Sequence, residues 1–219
     1  MGEEPRRHIL LEGQGEMKFT VRDLVYIGLF GALWGALELG VGSYLHVLNL
    51  PFIGTFMAAL GICIALVGRS FVSKRGSVFF IGVVTALLKM FSLGGIVLNP
   101  MIAILFESGL AEVGLLASAR PRRWSFPLAG ALAVSWDFFH QFFTQGILAG
   151  RGILTIYGWA LDQGSGLLGV DKSAGVVLLL MLLVVRLVIG AVAGLFAWSL
   201  AVAVRRRLGS AWEGSPREA

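Results

Sequence analysis

A chain of 219 residues that is 57% hydrophobic and only 14% charged, with a mean hydropathy of +0.82, is too apolar for an ordinary soluble domain, in which roughly a quarter of residues are charged. Its net charge of +5 does not point to nucleic acid, because the basic residues are spread over links and form no stripe or recognition helix. One cysteine, Cys63, excludes an internal disulfide.

Residues 1–20 are polar and of mixed charge, with no apolar core of the signal-peptide kind, and read as a disordered cytoplasmic tail. Six apolar segments follow, at approximately 24–46, 51–68, 77–93, 96–118, 126–148 and 176–204. A helix of about 20 apolar residues crosses the hydrocarbon core of a bilayer. The expected fold is therefore all-α: a polytopic membrane protein with six transmembrane helices in one domain, 21–208, followed by a second disordered tail, 209–219. Asn49-Leu50-Pro51 predicts a tight turn between the first two spans, and residues 92–95 another between the third and fourth. Residues 149–175 form a longer link, whose apolar run at 153–161 is too short to span. Two readings stay open for it: a lid over a site, or a segment resting on lipid headgroups.

The basic residues set the orientation. With both termini cytoplasmic, Arg6, Arg7, Lys18, Arg22, Arg69, Lys74, Arg75, Arg120, Arg122, Arg123, Arg205, Arg206, Arg207 and Arg217 all fall on the inner side, as positive loops do. Only Lys89, Arg151, Lys172 and Arg186 lie elsewhere.

Ionisable groups at membrane depth are costly and mark function or structural pairing. Counting along the spans places Glu38, Lys89, Glu107, Asp137, His140 and Gln141 in the middle and outer half, with Trp34 and Trp136 at similar levels. Asp137 shares a helix face with His140 and Gln141. Glu38, Lys89, Glu107, Trp136, Asp137, His140 and Gln141 are thus the candidate substrate-binding residues, with the aromatic rings as a wall. The alternative is a structural network in which Lys89 pairs with Glu38 or Glu107 and Asp137 with its neighbours. Arg186, midway along the last segment, could pair with an acid. Glu112 and Asp23 lie toward the cytoplasmic side and suit structural or partner-facing roles.

His46 and His140 on different spans lack the tight ligand spacing of a metal site, so no metal is expected. HExxH, GxSxG and paired-cysteine motifs are absent, and no enzymatic activity or cofactor is expected. Gly164 to Gly169 spells GxGxxG in an external link without a preceding strand, and Val170 stands where a phosphate-binding lysine would be required. Small residues repeat every four positions on the first span, as Gly28, Ala32 and Ala36 and again as Gly31 and Gly35. Such stripes admit a close-packed helix, from a partner or from the same bundle.

Six spans with both ends inside, the AxxxA run Ala32-Leu33-Trp34-Gly35-Ala36, the opening from Val21 to Phe30 and the Pro51-Phe52-x-Gly54 turn together resemble the substrate-binding S components of energy-coupling factor (ECF) transporters, over residues 18–208. The resemblance implies a carrier in a prokaryotic plasma membrane that captures a vitamin or related micronutrient from outside. It implies partners as well: a transmembrane coupling subunit, docked on Gly28, Ala32 and Ala36, and ATPase subunits. Toppling in the membrane then releases the load. Metal-specific members usually begin Met-His, and Met1-Gly2-Glu3 does not. The family has no shared ligand motif, so the site candidates rest on depth and chemistry. Competing readings are an independent secondary transporter or permease, and a non-catalytic membrane subunit of an enzyme complex. The first lacks clear inverted repeats, and two histidines are too few for most bis-haem bundles.

Overall fold

The computed structural model describes residues 19–42, 52–91, 98–118, 121–143, 150, 152–169, 171 and 174–213. Among these residues every regular element is a helix, so the all-α expectation holds. The helices are α1 (Val21–Leu37, prolonged by a π-helical turn at Glu38–Gly42), α2 (Ile53–Phe71), α3 (Ser77–Lys89), α4 (Leu98–Leu116), α5 (Ser125–Phe142), α6 (Ile153–Leu168) and α7 (Gly175–Glu213).

Four of them are long and apolar enough to cross a membrane: Val21–Gly42, Ile53–Phe71, Leu98–Leu116 and Gly175–Arg207. The two other expected spans fall short for separate reasons. The 13 residues of α3 extend only about 20 Å. In α5 the residues Asp137, His140 and Gln141 dilute an 18-residue apolar helix. The link at 149–175, expected as a loop with a short apolar run, instead carries the 16-residue helix α6. The turns expected at 49–51 and 92–95 lie wholly outside the described residues, as do residues 1–18 of the N-terminal tail.

Neighbouring helices close a ring in the order α1, α3, α4, α5, α7, α2, and α6 lies outside it against α7. Helix α2 also touches α3, α4 and α5. It is the most enclosed element, and Ile62, Ala65 and Leu66 on it are buried completely or nearly so.

Local chemistry fixes the helix ends on one side. Thr20 and Asp23 form a capping box at the start of α1, each side chain meeting the other's backbone N–H. The Asp23 carboxylate also pairs with Lys74 at 2.7 Å. No side chain of α3's own first turn caps it; Glu112 of α4 reaches across and accepts from the Gly76 and Val78 amides at 2.6 and 3.0 Å. That carboxylate meets the positive end of the helix dipole. Arg69 ties down the α2–α3 turn by donating to the Val72 and Lys74 carbonyls and to Ser77 Oγ. Asp23 and Glu112 are therefore structural.

Membrane helices gain association energy from close backbone approach. The closest approach joins α5 to α7. A Cβ at Gly190 or Gly194 would collide with the Gly130 or Phe126 carbonyl, and one at Gly130 with the Gly190 carbonyl. Gly190→Ala should lower stability by about 2 kcal/mol, because backbone and not a flexible side chain must yield. Gly28→Ala, where a Cβ meets nothing within 4 Å, should leave it unchanged. Thermal unfolding of the detergent-solubilised protein reads both.

Candidate functional site

Arg186 of α7 is the largest fully buried charged side chain, at 1% exposure. A guanidinium so placed requires a counter-charge and further acceptors. Its Nε donates to Asp137 Oδ2 of α5 at 3.0 Å, and its Nη1 to the Leu182 carbonyl at 3.3 Å. The rings of Phe52 and Phe138 lie 5.1 and 5.7 Å from the guanidinium carbon, within cation–π range. The Asp137 carboxylate is held from a third helix as well, by the Thr55 hydroxyl in the first turn of α2. A Cβ on Gly54 would come within 2.7 Å of Asp137 Oδ1, so only glycine lets the carboxylate approach the α2 N-terminus. Phe52, at the N-cap of α2, is the one described non-glycine residue with positive φ, at 63°. Backbone strain of this sort tends to gather at functional sites.

A second ion pair joins α1 to α3. Lys89 Nζ lies 3.2 Å from Glu38 Oε2 and donates to the Glu38 carbonyl at 3.1 Å. Glu38 opens the π-helical turn that ends α1, an irregularity found often at functional positions.

Glu107 of α4 lies within electrostatic reach of both Glu38 and Asp137 and is 6% exposed. Among the described residues no hydrogen-bond or ion-pair partner meets it. An aromatic wall joins α4 to α5. Phe106 stacks on Trp136 with centroids 4.2 Å apart and planes 9° apart, and Phe143 and His140 lie 6.3 and 6.2 Å from the Trp136 ring. His140 Nε2 is 3.2 Å from the Asn99 carbonyl oxygen. Among the described residues Trp136 Nε1, Trp34 Nε1 and Asn99 Oδ1 are buried without a partner.

The structure thus brings Glu38, Lys89, Glu107, Trp136, Asp137 and His140 together. The Gln141 side chain and His46 lie outside the described residues. Sequence reasoning left Arg186 off the candidate set and did not assign it to Asp137, named Phe52 only as part of a turn, and did not single out Thr55, Phe106 or Asn99. Among the described residues no group of three His, Cys, Asp or Glu side chains is arranged to hold a metal ion.

The two small-residue stripes of α1 separate. Gly31 and Gly35 are buried against Val84 and Leu88 of α3, where a Cβ would come within 2.6 and 2.8 Å. Ala32 and Ala36 face out beside the exposed Leu29 and Leu33, and space over Gly28 is open.

Compared with protein-family models, curated proteins and solved structures, the chain matches none of them.

Removing one member of a buried ion pair leaves the other uncompensated. Arg186→Met alone should lower stability by about 3 kcal/mol, and adding Asp137→Asn should restore most of the loss. Thermal unfolding of the two single variants and the double variant measures the coupling. Additive losses would show that the pair is not the source of stability.

Proposed function

We propose that this chain is the membrane-embedded substrate-capture subunit of an ECF-type ATP-driven importer for a vitamin or related small micronutrient in a prokaryotic plasma membrane. In this reading α1–α5 and α7 are the six spans, with the short α3 accommodated by local thinning or snorkelling. Both termini are cytoplasmic. Arg22, Lys74, Arg75, Arg122, Arg123 and Arg205 to Arg207 then sit at or near inner helix ends, as the distribution of positive charge favours. Glu38, Lys89, Asp137 and His140 lie toward the outer end, where an external solute arrives.

The observation that carries the reading is the gathering of Glu38, Lys89, Glu107, Asp137 and Arg186 from five helices, with Glu107 within electrostatic reach of an acid of each ion pair. A purely structural use of charge needs pairs alone. Here a carboxyl group and the Trp136 indole N–H have no partner among the described residues, as in a site built to orient a small polar molecule against apolar walls. The chain itself catalyses nothing in this account. ATP is hydrolysed by separate ATPase subunits, joined through a transmembrane coupling subunit that docks on Gly28, Ala32 and Ala36. The outward setting of that stripe, with Gly31 and Gly35 already spent on α3, supports the assignment.

Ala32→Trp and Ala36→Trp should each reduce uptake at least tenfold and abolish co-purification of ATPases, while solute binding by the isolated chain stays intact. Wild-type uptake in both variants would remove the docking surface. Uptake by the chain without any ATPase would favour an independent permease.

A further inference from the structure

The exposed charges of this molecule are segregated. At the end that carries the α2–α3 and α4–α5 turns, the exposed charged side chains among the described residues are all arginines: Arg22, Arg75, Arg122, Arg123 and Arg205 to Arg207. At the opposite end, on α6 and just beyond it, they are Asp162 and Asp171. The basic end is itself uneven. Arg22 adjoins Asp23, and Arg75 adjoins Gly76, whose amide meets the Glu112 carboxylate, so carboxylates offset part of the charge there. Among the described residues no carboxylate pairs with Arg122, Arg123, Arg205 or Arg206.

These four arginines come from two segments that packing brings together. Ser125 Oγ donates to the Arg122 carbonyl at 2.9 Å and accepts from the Arg122 amide at 3.0 Å, which fastens the α4–α5 turn to the start of α5. One residue on, the Phe126 carbonyl faces Gly194, and the Phe126 ring meets Trp198 edge-on with centroids 5.1 Å apart. The start of α5 is thereby set against α7 about two turns before Arg205.

The same helices present apolar surface on the bilayer side of the arginines. Leu128 of α5 and Phe196 and Leu200 of α7 are exposed, and so is Trp124, between Arg123 and the first turn of α5. Arg205 lies about 7 Å of helix beyond Leu200. The headgroup layer extends about 5–7 Å beyond the hydrocarbon core. With Leu200 at the edge of the hydrocarbon, the arginines fall in that layer, and tryptophan favours the same boundary.

We infer that the corner formed by the α4–α5 turn and the end of α7 is a binding surface for anionic phospholipids, whose phosphates sit on Arg122, Arg123, Arg205 and Arg206 and whose chains lie along the apolar flanks of α5 and α7. Guanidinium forks match phosphate oxygens in pairs. A soluble anion would use the arginines and leave the apolar flanks idle, whereas a lipid uses both. The inference requires that these helices lie in a membrane and does not depend on the importer reading.

The test is native mass spectrometry of the full chain in neutral detergent, incubated with equal amounts of phosphatidylglycerol and phosphatidylcholine of the same chain length. The wild-type protein should retain the anionic lipid at least about tenfold over the zwitterionic one. Arg122→Gln/Arg123→Gln and Arg205→Gln/Arg206→Gln should each lower that preference at least about fivefold, the scale of one arginine at an anionic surface. Both should melt as the wild type does, since these side chains hold no partner among the described residues. Arg22→Gln/Arg75→Gln, with the same loss of charge, should lower the preference far less. Equal retention of the two lipids by the wild-type protein overturns the inference whatever the variants do. A preference undiminished in either of the first two variants, or reduced equally in all three, overturns it as well. Displacement of the bound lipid by an equal concentration of inorganic phosphate would assign the arginines to a soluble anion instead.

Discussion

The ion pair between Asp137 and Arg186 organises this bundle. It joins α5 to α7, and through the Thr55 hydroxyl and the close pass of Gly54 it brings in the N-terminus of α2. Helix α2 touches every other helix of the ring, so whatever fixes its end fixes the registration of the whole. In lipid no hydrophobic force distinguishes one apolar helix pairing from another. Directional contacts must choose among pairings, and a buried guanidinium–carboxylate pair leaves little freedom in that choice.

The two ends of the molecule use charge differently. At one end Asp23, Lys74, Arg69 and Glu112 cap helices and pin the α2–α3 turn, and their hydrogen bonds run mainly to backbone groups. Toward the other end Glu38, Lys89, Asp137 and Arg186 link side chains of different helices, and Glu107 stands among them unmatched. Capping groups serve the fold alone. Glu107 is the buried acid that neither ion pair uses. The irregular backbone at Phe52 and at the π-helical turn from Glu38 lies at the same level, where it sets two of the side chains in place.

Much of this was legible in the sequence, and the limits have physical causes. Apolar segments located all six ring helices, although only four of them are long and apolar enough to cross a membrane. Depth counting placed Glu38, Lys89, Glu107 and Asp137 in one layer, because rise per residue is fixed. Depth carries no azimuth, however, and α7 is apolar on every side, so nothing in its pattern marked the face that turns Arg186 toward Asp137. The stripes Gly31/Gly35 and Gly28/Ala32/Ala36 have the same spacing, and only the position of Val84 and Leu88 tells which is filled. Gly190 and Gly194 of α7 carried a GxxxG signal that sequence reasoning passed over in favour of the first helix, although they make the tightest helix contact. Helix α6 was obscured by Gly158, Gly164 and Gly166, which break the apolar period of a segment that α7 nonetheless stabilises by packing.

The central claim is that the site is incomplete without a molecule from outside. Native mass spectrometry of the chain released from membranes of its source cells tests it most directly. The account predicts one small organic adduct per folded wild-type chain, absent from Glu107→Gln prepared in the same way. A folded wild-type chain that carries no adduct, or an adduct kept undiminished by the variant, would contradict it.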